Sequence, residues 1–317
     1  MKKILYILLI AFIFFPEGSG QYSLIPSLSN YHLTWTTFNA GFTGYRELAT
    51  GSIFYRDKMY GDAGPADFQL NLHSPVFSGS EAIGVIFSNS RTTNDNKDLL
   101  TRISSGMFTY AHRFRLGGGH LSLGLSAGMY QIKEDYRSLS LRNPLDPTFS
   151  SQETAPTRWF PNFGAGGVYY DKRLFIGLSV PEFFSVPVTT KQFDFGKAEF
   201  SKYRFILTGA YLFEFNENLN MKPAFFVDYN RSNTTFKIST NFGLLDNRFF
   251  VGGVYHHPNY AVVLLNIPVQ HEKYMIGFAY TFPLSDIALY YSGTWEVVLR
   301  LEWRSINKIP EPNPFYF

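Results

Sequence analysis

Apolar and polar side chains alternate with a period of two along most of this chain, and the clearest example runs from Gly293 to Trp303. One set of alternate positions in that stretch is apolar and carries tryptophan near both ends, at Trp295 and Trp303. The interleaved set carries ionic side chains, among them Glu296 and Arg300. Because successive side chains of a strand point to opposite faces, this spacing predicts a β-strand with one apolar and one polar face.

Segments with the same alternation recur throughout the chain and predict about fourteen strands. One of these segments contains Pro223, which has no N–H to donate, so we expect a bulge or a later start there. We place the strands at residues 47–57, 66–74, 81–89, 102–114, 120–131, 159–170, 173–180, 203–215, 219–229, 235–242, 248–256, 260–267, 273–282 and 293–303.

The connections between these segments alternate in length. The four longest, 132–158, 181–202, 90–101 and 283–292, all fall at one end of the predicted sheet, whereas those at the other end contain about six residues or fewer. An even strand number with long loops outside and short turns inside is the organisation of bacterial outer-membrane barrels. The sequence therefore predicts an all-β fold, a transmembrane outer-membrane β-barrel of about 14 antiparallel strands.

Composition favours a membrane environment over a soluble sheet, which could show the same alternation. The 317 residues include 33 Phe and 21 Tyr, and charged residues make up only 17% of the chain. So many aromatic and so few charged side chains indicate apolar surface that does not contact water. The net charge of +3, without a run of Lys or Arg, gives no reason to expect nucleic acid as a partner.

The N-terminal residues predict export. Lys2 and Lys3 precede an apolar run at residues 4–15, and small residues follow at 18–20, which is the pattern of a secretory signal peptide. No later stretch approaches the ~18 apolar residues of a transmembrane helix. Because unpaired backbone polar groups cost several kcal/mol each in hydrocarbon, a closed barrel is the remaining way to cross a membrane.

The expected organisation follows from these segments. It comprises a signal peptide at residues 1–20, an N-terminal segment at 21–46 that plugs or braces the barrel, the barrel itself at 47–303, and a Pro-rich tail at 304–317.

The cost of placing charge in lipid sets which face of each strand points outward. An Arg at the bilayer midplane of a barrel costs roughly 2–4 kcal/mol, so we expect the ionic faces to line the lumen. The apolar faces then contact acyl chains, with Trp295 and Trp303 at the two headgroup levels. The charged residues expected in the lumen are Arg204, Glu214, Lys222, Asp228, Lys237, Arg300 and Glu302, together with Glu296.

Candidate catalytic or metal-binding chemistry is sparse. The chain has no Cys, which excludes thiol catalysis and Cys-ligated metals. His256 and His257 are adjacent on a predicted strand and therefore point to opposite faces, without a carboxylate-rich motif around them. No Ser occupies a recognisable nucleophile elbow. We therefore predict no catalytic residue, no metal and no cofactor.

The stretch FNAGFTGYRELATGSIFYRDKMYGDAGPADFQLNLHSPV, followed much later by GTWEVVLRL and a terminal NPFYF, resembles the PorP/SprF family. Members of that family are outer-membrane proteins of the type IX secretion system, linked to gliding motility and to the display of large surface adhesins. The resemblance spans nearly the whole mature chain, and its specific motifs lie at the two ends.

Each family motif is matched in part. The Asn-Pro-Ala-x-x-Gly motif has Ala40 and Gly41 in place of Pro and Ala, and the Gly-Thr/Ser-His-Glu motif has Trp295 in place of His. The motif of an Arg followed by Gln-Trp-x-Gly has Lys58 and Met59 at the Gln and Trp positions. The closing Ser-Pro-Arg-Phe-Phe motif lacks its Arg. The positions that match the family are Asn39, Gly44, Arg56, Gly61, Gly293, Thr294, Glu296, Pro314 and Phe317.

The resemblance implies a protein of the bacterial outer membrane that is not an enzyme. It implies a barrel that supports export or surface attachment of a cognate secreted protein, recognised through that protein's C-terminal domain. Further implied partners are the secretion translocon, the periplasmic components of the machine and outer-membrane lipid. Two alternatives from other classes are an outer-membrane transporter for a hydrophobic small molecule and a diffusion porin.

Aromatic side chains are plentiful in the two longest outer connections, 132–158 and 181–202. They could offer a docking surface to a protein partner, or the connections could fold inward and close the lumen. The candidate partner-binding residues are Tyr136, Phe149, Phe183, Phe184, Phe193, Phe195 and Phe200.

Overall fold

The alternating segments form antiparallel strands in the computed structural model. The structure describes residues 28–58, 66–76, 79–93, 100–135, 157–184, 203–216, 218–230, 233–269, 273–284 and 293–303. The strands are β1 (Ala49–Lys58), β2 (Ala66–Val76), β3 (Glu81–Thr93), β4 (Leu100–Leu116), β5 (Gly119–Asp135), β6 (Arg158–Tyr170), β7 (Leu174–Val180), β8 (Phe205–Tyr211, resuming as Phe213–Asn216), β9 (Leu219–Asn230), β10 (Asn233–Leu244), β11 (Phe249–His256), β12 (Tyr260–Val269), β13 (Tyr274–Pro283) and β14 (Thr294–Trp303).

The sheet closes on itself. Each strand pairs antiparallel with the next along the chain, and the last strand, β14, pairs with β1 from Ala49 opposite Trp303 to Lys58 opposite Thr294. The predicted barrel of about fourteen antiparallel strands is therefore confirmed. Among the described residues, no helix is long and apolar enough to cross a membrane.

The irregularity expected at Pro223 lies in the neighbouring strand. Pro223 itself pairs with Thr240 in an unbroken ladder between β9 and β10. On its other side the ladder with β8 stops at Ala210 and resumes at Phe213. The N–H of Leu212, which lies in the break, donates to the carbonyl oxygen of Arg173 at 2.7 Å and extends the ladder with β7, which begins at Leu174 opposite Tyr211. The break thus lies opposite the residue that has no N–H to share.

The two ends of the barrel differ in the length of their connections. At one end, called here the long-connection end, the chain passes between strands at 59–65, 94–99, 136–157, 181–204 and 284–293, and at two shorter links. At the other, the short-turn end, the links are 77–80, 117–118, 171–173, 217–218, 245–248 and 270–273. This sorting agrees with the pattern expected for an outer-membrane barrel, in which the longer loops face the cell exterior.

Side chains alternate between an apolar outer face and a mixed inner face. Phe87, Phe108 and Leu125 are about half exposed or more on the outside, at 51%, 50% and 61% of their surface. In β14 the residues at even positions from Glu296 to Glu302 are buried, whereas Trp303 is 48% exposed. The predicted phase of this strand, with ionic residues inside, is what the structure has.

The N-terminal residues lie within the barrel as three short 3-10 turns, Tyr31–Leu33, Trp35–Thr37 and Ala40–Phe42. Every residue from Leu28 to Thr43 is buried. Their aromatic side chains pack edge to face on inner residues of the wall, with Trp35 and Phe175 at a ring separation of 4.9 Å. The lumen is therefore filled by a segment whose sequence does not alternate between apolar and polar residues.

Candidate functional site

The segment from Leu28 to Leu48, called here the lumenal segment, makes its first contacts near the long-connection end. The Glu296 carboxylate accepts hydrogen bonds from the backbone N–H groups of Ser29, at 3.0 and 2.9 Å, and of Asn30, at 3.0 Å. The Ser29 and Thr281 hydroxyls lie 3.0 Å apart. Bonds from N–H groups to an ionised acceptor are roughly twice as strong as neutral ones, so Glu296 holds this part of the segment to the wall.

Lys237, on β10, anchors the same part of the segment. Its ammonium donates to the carbonyl oxygen of Leu28 at 2.6 Å and lies over the rings of Tyr31 and Phe226, at 5.6 and 5.3 Å from their centroids. The Tyr31 hydroxyl is 2.8 Å from the hydroxyl of Ser239. A predicted lumenal cation thus binds the N-terminal segment rather than facing open water.

In the middle of the barrel the segment approaches the wall at glycines. Asn39 donates from Nδ2 to the carbonyl oxygen of Gly167 at 3.0 Å, and its Oδ1 accepts the N–H of Gly41 at 2.8 Å. A Cβ on Gly166 would collide with the Asn39 side chain, and one on Gly124 would collide with the backbone of Ala40. The glycines of β5 and β6 therefore make room for the lumenal segment.

The segment leaves the lumen at the short-turn end through buried ion pairs. Arg46 pairs with Glu302, which also lies 3.0 Å from the Nε atom of Arg300. Just after it, Glu47 faces Arg113 at 3.4 Å. Removing one partner from a buried pair leaves an uncompensated charge and typically costs 3–5 kcal/mol, so these pairs fix where the segment joins β1.

The structure gives a reason for glycine at position 44, which matches the family motif. Its φ is +69°, a left-handed conformation that glycine adopts without steric cost. Its N–H donates to Nδ1 of His73 at 3.2 Å, and a Cβ at this position would collide with Ala82. This residue thus allows the chain to turn tightly between the lumenal segment and the barrel wall.

A second polar cluster lies at the long-connection end. Arg204 donates to Asp228 at 2.8 Å through Nε, and its Nη1 is 3.8 Å from the Glu182 carboxylate. Burial raises the pKa of Glu182 to about 7, although Arg204 and a hydrogen bond with Tyr130 oppose the shift. Glu182 follows β7, so the start of the connection at 181–202 turns into the lumen.

Asn162 fixes that inward turn. Its Oδ1 accepts the backbone N–H groups of Phe183 and Phe184 at 3.1 and 3.2 Å, and its Nδ2 donates to the carbonyl oxygen of Phe184 at 2.9 Å. Both phenylalanines are half-buried. At these two residues the structure has the inward-folded arrangement that the sequence left open. The other candidate loop aromatics, Tyr136, Phe149, Phe193, Phe195 and Phe200, lie outside the described residues.

Most of the predicted lumenal charges lie inside the barrel. Glu214 differs, since it is exposed and pairs with Arg173 at 2.9 Å. It alternates with the inward-facing residues of its strand, but it lies close to the strand end, where the neighbouring strands do not bury it. The inner, mostly buried members are Arg204, Lys222, Asp228, Lys237, Glu296, Arg300 and Glu302.

The matched family positions that the structure describes do not form one site. Arg56 lies on the inner face and pairs with Asp67, with its Nη1 at 4.0 Å from Glu296. Gly293 has a φ of +122° at the entry to β14, and Thr294 is buried beside it. The remaining three, Gly61, Pro314 and Phe317, lie outside the described residues.

Several functional contacts could not be singled out from the sequence. Arg46 and Tyr31 lie in a segment without alternation, and Glu182 follows a strand rather than lying in one. The one signal in the sequence is local composition. A charged residue between apolar neighbours, in a segment next to a barrel, favours a buried ion pair. Around the described residues we find no group of three or more potential metal-ligating His, Cys, Asp or Glu side chains.

A small cavity remains between residues 36–40 and the inner faces of β2 to β6. Hydroxyl-bearing side chains are common in its lining, among them Ser88, Ser105, Thr109 and Ser126. Apolar side chains such as Ile86 and Met107 also line it. The cavity is thus a small recess of mixed lining beside the lumenal segment.

Comparisons with known proteins agree with this architecture. A sequence model of the type IX secretion system membrane protein PorP/SprF family matches residues 20–301. Among solved structures, the toluene transporter TbuX of Ralstonia pickettii is similar with a TM-score of 0.51 and 11% identity, over 90% of this chain and 96% of that chain. A FadL homologue of Pseudomonas aeruginosa has a TM-score of 0.45 and 13% identity, over 88% and 94%. At such identities the likeness shows the barrel fold alone, and no curated protein matches the chain.

Proposed function

The chain belongs to the PorP/SprF family of type IX secretion system membrane proteins, and from this premise we propose that it supports export or surface attachment of a cognate secreted protein. It is a barrel of the bacterial outer membrane. In this proposal it works without catalysis, together with the translocon and the periplasmic components of the machine. The secreted partner is recognised through its C-terminal domain, and a gliding or adhesin protein is the expected kind.

The observation that carries the proposal is the occupied lumen. The lumenal segment is bound at the long-connection end by Glu296 and Lys237 and at the short-turn end by the Arg46–Glu302 pair. We infer that the segment acts as a plug. A passive diffusion pore needs an open aqueous path, whereas a protein that works through a bound partner does not.

The plug also bears on the hydrophobic-transporter alternative. Such a transporter needs an apolar route through the barrel, whereas the described part of the lumen holds buried charges such as Lys237, Glu296 and Arg300. Displacing their partners with an apolar ligand would leave buried polar groups unpaired, which costs free energy. The buried charges along the lumen therefore support the secretion role over transport of a hydrophobic solute.

Deletion of the gene in its own host tests the proposal. The expected result is loss of one or a few large proteins from the cell surface, measured by surface proteomics, with restoration on complementation. A pull-down of the detergent-solubilised protein should recover the same protein together with translocon components. Unchanged surface proteins, combined with lost uptake of a hydrophobic compound or lost ion permeability, would contradict it.

A further inference from the structure

Three cations lie side by side on the outer face of the barrel. Arg91 on β3 is directly opposite Arg102 on β4, which is directly opposite Lys133 on β5. All three side chains are exposed. Cβ atoms of directly opposite residues lie about 4.5–5.5 Å apart, and like charges in that position are destabilising. Such a row is unfavourable unless an anion lies between the charges.

Among the side chains that the structure describes, a carboxylate offsets this charge only at one end of the row. Asp57 on β1 is separated from Arg91 by the short side chain of Ala66 on β2. No ion pair joins Arg91, Arg102 or Lys133 to another of the described residues. The row therefore retains an excess of positive charge on the face that contacts lipid.

The neighbouring row towards the middle of the barrel is polar but uncharged. It contains Asn89, Ser104 and Gln131 on the same three strands, with Asn89 donating to Ser104 at 2.8 Å. The exposed rings of Phe68 and Trp159 flank it on β2 and β6. Amide and hydroxyl groups between two aromatic rings are suited to sugar and linkage groups at a headgroup level.

The row below that one is apolar. Phe87 and Met129 are exposed there, at 51% and 41%, on either side of Gly106. The Phe87 ring lies over Gly106, since a Cβ at that glycine would be 3.4 Å from its Cε1 atom. Moving from the middle of the barrel to its rim, the outer face of β3 to β5 thus changes from apolar to polar to cationic.

The position of the row fixes which leaflet it faces. The three cations lie at the long-connection end, since residues 94–99 and 136–157 follow directly on these strands. In outer-membrane barrels the longer connections face the cell exterior. The row is thus at the headgroup level of the outer leaflet.

We propose that the outer faces of β3 to β5 form a binding site for a phosphorylated glycolipid of the outer leaflet. Arg91, Arg102 and Lys133 contact its phosphate groups, because guanidinium and ammonium groups bind phosphate oxygens through charge-assisted hydrogen bonds. Asn89 and Gln131 contact its sugar and amide groups. The acyl chains lie against the exposed side chains of Phe87 and Met129.

Binding of diphosphoryl lipid A to the purified full-length protein tests the proposal. Native mass spectrometry in a neutral detergent counts bound lipid as its concentration rises. The triple variant Arg91→Gln, Arg102→Gln and Lys133→Gln should bind about a hundredfold more weakly, because each of the three cations near an anionic headgroup contributes roughly a fivefold effect. Raised salt should weaken binding to the unmodified protein in the same direction.

A matched variant controls for charge and for folding. Arg115→Gln, Lys172→Gln and Arg248→Gln remove three exposed cations at the short-turn end. This control variant should bind lipid A as the unmodified protein does. Both triple variants should keep the heat-dependent gel migration of a folded barrel, because all six side chains are exposed.

Three outcomes would overturn the proposal. One is equal loss of binding in the two triple variants, which would indicate general attraction between cations and anions. Another is equal binding of lipid A from which both phosphates have been removed. The third is equal binding of phosphatidylglycerol, which carries a phosphate but no sugar. Selective loss in the first variant, for phosphorylated lipid A alone, supports the site.

Discussion

At the scale of single residues, the inner face of the barrel is organised by what the lumenal segment needs. Glycine is found where the segment's backbone touches the wall, as at Gly124 and Gly166. Charged groups are found where its backbone N–H and C=O groups need partners, as at Glu296 and Lys237. The alternation of the sequence predicts which of these residues point inward, but not which of them meet, because partners lie far apart along the chain.

Gly124→Ala tests the close approach. Its added methyl group would collide with the backbone of Ala40, which cannot move as a flexible side chain can. We expect the free energy of unfolding, measured by urea titration in detergent micelles, to fall by about 1–3 kcal/mol, the usual cost of overpacking. Gly253→Ala is the control, because a Cβ there meets only one atom, at 3.8 Å. Equal effects of the two substitutions would argue against the contact.

Glu182 makes the turn after β7 sensitive to pH. Burial raises its pKa from 4.5 to about 7, so the folded state holds the proton more tightly than the unfolded state. The stabilisation from this proton is fully present below pH 4.5 and is lost as the pH rises through about 7. We expect the unfolding temperature to fall over that window, and Glu182→Gln to flatten the fall. An unchanged slope in the variant would contradict this role.

At the scale of elements, the strands and the lumenal segment follow different rules. Strands such as β4 and β14 were predictable because each buries one face and exposes the other to lipid. The lumenal segment is surrounded on all sides, so its sequence has no periodic face, and its 3-10 turns could not be predicted. The sequence predicted a segment at 21–46 that plugs or braces the barrel, and the structure shows that its residues from 28 onward run from the long-connection end to the short-turn end.

A disulfide can test the path of the lumenal segment at the long-connection end. The Ser29 and Thr281 hydroxyls are 3.0 Å apart, which is compatible with the short Cβ separation that a disulfide requires. The natural chain has no Cys, so Ser29→Cys with Thr281→Cys should form one bond in the oxidising periplasm. Maleimide labelling of the denatured protein should then increase only after reduction.

Ser29→Cys with Thr240→Cys is the corresponding control, since Thr240 lies on β10 opposite Pro223 and makes no contact with Ser29 that the structure describes. Strong cross-linking of the control pair, or none in the first pair, would contradict the observed path.

At the scale of the whole molecule, the closed sheet encloses a lumen that the chain's own N-terminal segment fills. A closed sheet has no free edge to expose in lipid, and β14 and β1, from opposite ends of the chain, complete it. The strand number and the sorted connections could be predicted because they follow from a repeated local pattern. The Arg46–Glu302 pair could not, because it joins the segment before the first strand to the end of the last one.

Conductance across a planar lipid bilayer tests the central claim, that the chain's own N-terminal segment closes its lumen. The purified full-length protein is expected to show no steady open-channel current. A variant that lacks residues 28–44, and that still migrates as a folded barrel, is expected to conduct continuously. A steady large conductance of the full-length protein, unchanged by removing those residues, would contradict the account.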